Sequence, residues 1–217
     1  MSTHLEQDLK GITARIFMMA DLAIESIQKS VESLKNQDSN LAELVLQHDN
    51  ELDRLEVQID EECIRLLVTR QPAAADLRLI LTILKTNTDL ERIGDLSTNI
   101  AKETIGSLGK PLLKPLVDIP RMAEITVTMI KKAFKAVSDK NQSLARECIE
   151  MDRQVDDINM QIYRELFSYM AENPSSISAA LALIMVAKAL ERIGDHATNI
   201  AERAIYYIEG EDIRHQE

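Results

Sequence analysis

One hexapeptide, Leu90-Glu-Arg-Ile-Gly-Asp95, returns as Leu190-Glu-Arg-Ile-Gly-Asp195, and Thr98-Asn-Ile-Ala101 returns as Thr198-Asn-Ile-Ala201. Upstream, the match continues at a slightly longer spacing. Met19-Ala20-Asp21 parallels Met122-Ala123-Glu124, Leu41-Ala42 parallels Leu144-Ala145, and Asp49 and Asp53 parallel Asp152 and Asp156. The spacing shortens across Gln71-Pro72 and Asn173-Pro174, where a loop changes length at little entropic cost. A repeat of this size is one supersecondary unit used twice. The chain must therefore adopt a fold that is stable beside its own copy.

Each copy reads as three helices, over about 4–36, 39–69 and 73–106 in the first and about 116–139, 141–171 and 175–209 in the second. Asn36–Asn40 and Asp139–Asn141 carry loop chemistry, and Pro72 and Pro174 stand where a helix has to start or stop. Linker composition runs from Gly106 to Pro120. We place the units at 1–107 and 116–217 around a linker at 108–115. The expected fold class is all-α, with two tandem pseudo-symmetric three-helix bundles made of six long antiparallel helices.

Composition narrows the partners. The net charge of −11 argues against a nucleic-acid backbone or an anionic membrane surface, both of which attract basic patches, and is compatible with cations. Any membrane contact is expected to be indirect, through partners. Cys63 and Cys148, without a CxxC, suit reduced buried thiols in a cytoplasmic protein. The first residues lack the basic and apolar regions of a signal peptide. The longest apolar run, Ala179–Ala187, is too short to span a bilayer. Met18, Met19, Met122 and Met129 read as core.

The acids of the repeat carry the chemistry. Glu91 and Asp95, four residues apart, share one helix face with Thr98, and Asn99 lies at its edge. That face is apolar one turn earlier, at Ile80 and Leu84, while Ile93, Leu96 and Ile100 are apolar on the opposite side. A helix covered on both sides does not leave its acids simply solvated. Gly94 and Gly194, costly inside a helix, mark a close approach of a neighbour. In the middle helix, Asp49, Asp53, Glu56 and Asp60 form a stripe, answered in the second unit by Asp152, Asp156, Asn159 and Tyr163. Only the first two acids recur.

An antiparallel packing brings those two beside the acids of the third helix. The candidate groups are therefore Asp49, Asp53, Glu91 and Asp95, and Asp152, Asp156, Glu191 and Asp195. Four partly buried carboxylates need a cation, and oxygen donors without His or Cys point to Mg, Mn, Ca or Fe rather than structural zinc. His196, whose counterpart is Leu96, reads as surface or packing. There is no phosphate loop, no Glu-x-x-His pair and no nucleophile–base arrangement. A carboxylate-cluster phosphohydrolase and a metal-free scaffold with solvated acids are the rival readings.

Together, Asp49-x-x-x-Asp53, the run Arg70-Gln-Pro-Ala-Ala-Ala-Asp-Leu-Arg78 and the doubled Leu-Glu-Arg-Ile-Gly-Asp with Thr-Asn-Ile-Ala resemble the PhoU family over essentially the whole chain. The resemblance implies two pseudo-symmetric three-helix bundles, often dimeric, with metal clusters on Glu/Asp-x-x-x-Asp motifs at the eight positions above, supported by Asn99 and Asn199. It implies a non-catalytic, cytoplasmic negative regulator of phosphate uptake. Its partners would be the ATPase subunit of a phosphate ABC transporter and the sensor histidine kinase of the phosphate regulon, with a homodimer as the assembly. The Arg-Gln-Pro…Asp-Leu-Arg run occurs only in the first unit, so the two units are not expected to be equivalent.

Overall fold

A computed structural model describes residues 3–210, and these form six long helices: α1 (Thr3–Asn36), α2 (Ser39–Arg70), α3 (Ala74–Ser107), α4 (Asp118–Asp139), α5 (Gln142–Glu172) and α6 (Ile177–Glu209). A short 3-10 turn at Pro174–Ser176 leads into α6. There is no strand among the described residues. The turns between first and second helices are built alike. Asp38 caps α2 by accepting from the amides of Asn40 and Leu41, and Asn141 caps α5 by accepting from Ser143. These bonds satisfy amides that the first helical turn leaves unpaired. Just before each cap, Gln37 and Lys140 adopt left-handed backbone angles, φ 52° and 49°, which end the preceding helix.

α4 begins at Asp118, two residues later than the apolar pattern suggested. Pro115 cannot continue a helical ladder. The nearly buried Lys114 ties this stretch to Asp118 and Glu165.

α1, α2 and α3 pack together, as do α4, α5 and α6, and the two bundles meet through α3 against α6 and α1 against α4. One continuous core runs through both. Met19, Met122 and Met129 are fully buried in it, each such side chain contributing about 1.5–3 kcal/mol. Met18 departs from the expectation: it is 52% exposed, because its neighbour Met19 holds the inward position and adjacent residues diverge by about 100°. Phe17 meets Phe134 edge to face, ring centres 5.0 Å apart, between α1 and α4.

The α3–α6 seam is antiparallel. Arg78 lies against Gly210, the Arg203 guanidinium donates to the Lys85 carbonyl at 2.7 Å, and the Asn199 amide faces Asp89 at 3.5 Å. Continuing that register sets Gly94 level with Gly194, to within about a turn. The internal two-fold relation thus passes between the two glycines.

Candidate metal centre

Gly94 explains how the acids are brought together. A Cβ there would come within 2.5 Å of Leu52 on α2 and 3.6 Å of Asp49 Oδ1. At Gly194 a Cβ would come within 3.2 Å of Asp152 Oδ1 and 3.4 Å of Val155 on α5. Absence of a side chain lets the middle helix of each unit press onto the third, and this sets the first aspartate of each stripe beside the acid pair.

The electrostatics follow from that proximity. Burial pushes the Asp49 carboxyl above its ordinary value; nearby Thr98 opposes this, while Asp53 and Asp95 add to it. Glu91 is raised by burial and then by Asp95, with Arg92 opposing. In the second unit Asp152 is pushed up to about 6, first by burial and then by Asp156, Asp195 and Glu191. Burial and Glu191 raise Asp195. The hydroxyls of Thr98 and Thr198 stand beside Asp49 and Asp152 and oppose these upward shifts, without reaching hydrogen-bond geometry.

All eight predicted carboxylates therefore fall into two groups of four that feel one another. Charges on the same faces pull some of them aside. Arg92 pairs with Glu91 at 3.4 Å and Asp95 at 3.6 Å, and Lys188 holds both oxygens of Glu191 at 2.6 and 2.7 Å. Among the described residues no three His, Cys, Asp or Glu side chains stand close enough to grip one ion. The donor chemistry suits a hard cation.

Two supporting residues are placed otherwise than expected. Asn99 is exposed and bonds to no carboxylate. Asn199 turns towards Asp89 across the seam, because its position on α6 faces α3 rather than α5. Asp60 leaves the stripe to accept from Asn87 at 2.9 Å. Glu56, by contrast, stays near the acids and is raised by burial, Asp60 and Asp53.

Asp89 is not among the recurring acids. It is buried on α3 and meets Arg203 and His196 Nδ1, the latter at 2.9 Å. Its counterpart is Ala189, so the acid occurs in one copy alone. His196 is a packing residue of the seam.

The fold and site define a tandem all-helical protein with a glycine-gated carboxylate surface in each repeat. The PhoU domain profile matches the chain twice, at residues 16–104 and 119–204. A "Phosphate-specific transport system accessory protein PhoU homolog" of Aquifex aeolicus is 42% identical over 212 residues, 98% of this chain and 96% of that protein. One of the same description from Pseudomonas putida is 38% identical over 217 residues, 99% of this chain and 84% of that protein. The crystal structure of PhoU from Pseudomonas aeruginosa superposes with a TM-score of 0.91 at 36% identity, over 95% of this chain and 99% of that one. The chain belongs to the PhoU family.

Proposed function

We propose that this chain is an accessory protein of phosphate uptake and a non-catalytic negative regulator of the phosphate-starvation response. It acts in the cytoplasm as an adaptor between the ATPase subunit of a phosphate ABC transporter and a sensor histidine kinase. The observation that carries this reading is the match along nearly the whole chain to relatives named phosphate-specific transport system accessory proteins. No helix among the described residues is long and apolar enough to cross a membrane, consistent with work done through partners. Matched exposed apolar residues, Val57 and Ile64 on α2 and Met160 and Phe167 on α5, offer surface for a homodimer.

In this reading Asp49, Asp53, Glu91 and Asp95, and Asp152, Asp156, Glu191 and Asp195, hold divalent or trivalent cations (Fe, Mn, Mg or Ca). A bound cation would supply the positive charge that four mutually repelling carboxylates lack. Asp53 and Asp156 are exposed, which suits a docking face better than the water-excluded site that hydrolysis favours. The spread of the acids supports a second reading, in which Arg92 and Lys188 rather than ions neutralise them.

Deleting the gene should switch on a phosphate-starvation reporter in phosphate-rich medium, and purified protein should retain both the transporter ATPase and the kinase cytoplasmic domain in a pull-down. A silent reporter and failure to retain either partner would overturn the adaptor role. Elemental analysis after metal-replete growth decides between the metal readings. Metal in the parent but less in the Glu91→Gln/Asp95→Asn variant supports the sites, and none in either supports neutralisation by Arg92 and Lys188.

A further inference from the structure

The two acid groups are built on one plan but are not charged alike. In the second repeat Lys188 lies one turn before Glu191, and its ammonium holds both oxygens of that acid at 2.6 and 2.7 Å. Glu191 and then Asp195 keep the ammonium above the ordinary lysine value, and Lys188 in turn opposes the upward shift of Asp195. A positive charge therefore already stands inside this group. The equivalent residue of the first repeat is Thr88, which is neutral and, like Lys188, exposed. Arg92 offsets the difference in part, at the longer distances of 3.4 and 3.6 Å from Glu91 and Asp95.

The middle helices widen the gap. Glu56 on α2 belongs electrostatically to the first group. Burial raises it, then Asp60, Asp53 and Asp95, and it adds to the upward shift that burial and Asp95 give Glu91. Its counterpart on α5 is the neutral Asn159. Lys102 works the other way on Asp49 but ranks behind Thr98, Asp53 and Asp95 there. The first group thus gathers Asp49, Asp53, Glu56, Glu91 and Asp95, while the second gathers Asp152, Asp156, Glu191 and Asp195 with an ammonium among them.

We infer that Lys188 is a built-in counter-ion that makes the second acid group the weaker cation site, so that the first, reinforced by Glu56, loads before it. The inference rests on the cation-binding reading of the acid groups given above. A divalent ion approaching Glu191 meets an ammonium already bonded to that carboxylate and has to displace it. Repulsion between a double and a single charge about 5 Å apart in a water-like medium changes affinity by about tenfold, and salt reduces this. As cation concentration rises, the protein passes through a half-loaded state, with the first surface neutralised by the ion and the second still held by Lys188.

The test titrates the full chain, stripped with chelator, with Mn²⁺ and follows the free ion by its electron paramagnetic resonance signal. A tight and a weak class of site are expected, separated by about tenfold or more. Asp49→Asn/Asp53→Asn should abolish the tight class and Asp152→Asn/Asp156→Asn the weak one. Each repeat then receives the other's residue. Lys188→Thr should tighten the weak class about five- to tenfold, whereas Lys188→Arg, which keeps the charge, should leave it in place. Thr88→Lys and Glu56→Asn should each loosen the tight class about three- to tenfold. Positions 88 and 188 are exposed, so the melting curves of those variants should stay close to the parent's. Sites of equal affinity, a tight class that maps to the second repeat, or a weak class that Lys188→Thr does not move would each overturn this inference and leave the cation reading standing. No uptake by any form would end that reading and the inference with it.

Discussion

Asp152 gives a test in which the sign as well as the size is fixed by geometry. Its carboxyl is pushed from an ordinary 3.8 to about 6 by burial and by Asp156, Asp195 and Glu191. A raised folded-state value means that the native protein favours the protonated acid. The stabilisation is complete below about pH 4, the unfolded value, and is lost as pH rises through about 6. In metal-free protein near neutrality, the ionised Asp152 therefore opposes folding. The full difference corresponds to about 3 kcal/mol, which water reaching the partly exposed site reduces to about 1–1.5 kcal/mol. Asp152→Asn removes the charge and keeps the shape. It should raise the melting temperature by about 2–5 °C at pH 7.5 in chelator and change it little at pH 4. Added Mn²⁺ should stabilise the parent more than the variant. Unfolding followed by circular dichroism at both pH values reads this directly. A destabilised Asp152→Asn at pH 7.5 without metal, or an equal difference at both pH values, refutes the reasoning.

Other consequences are equally concrete. Gly94→Ala drives a Cβ into the buried Leu52, so overpacking of about 1–3 kcal/mol should outweigh a helix-propensity gain of about 1 kcal/mol; Gly194→Ala, with looser neighbours, should be near neutral, and urea titrations of both variants check the contrast. Asp89→Ala removes the carboxylate that meets Arg203 and His196 across the seam and should cost about 1–3 kcal/mol in the same assay. Cys63 and Cys148 are buried, with burial pushing each thiol up to about 12; a thiol-reactive dye at pH 8 should label neither until urea unfolds the chain.

The repeat made much of the fold legible, because a duplicated unit exposes its helices twice and the caps at Asp38 and Asn141 punctuate both copies. The acid groups were legible for the same reason. Each is made within one unit, between helices two and three, so selection for the same contact leaves the same residues in both. The seam obeys a different rule. There α3 meets α6, and every residue faces a non-equivalent partner: Asp89 faces Asn199 and His196, while its counterpart is Ala189. Asn199 was misplaced for this reason, since its match to Asn99 says nothing of which neighbouring helix it faces. Met18 faces water where composition suggests core, because two adjacent methionines cannot share one helical direction.

The level register of Gly94 and Gly194 has a mechanical meaning. Both acid groups sit at the level where the third helix of one repeat crosses that of the other, near the middle of α6 and not at its ends. Helix α6 extends about 20–25 Å to either side of Gly194. A tilt of about 5° at that point carries each end about 2 Å in opposite senses. Any tilt about that level would therefore displace both ends of α6 by equal amounts in opposite senses.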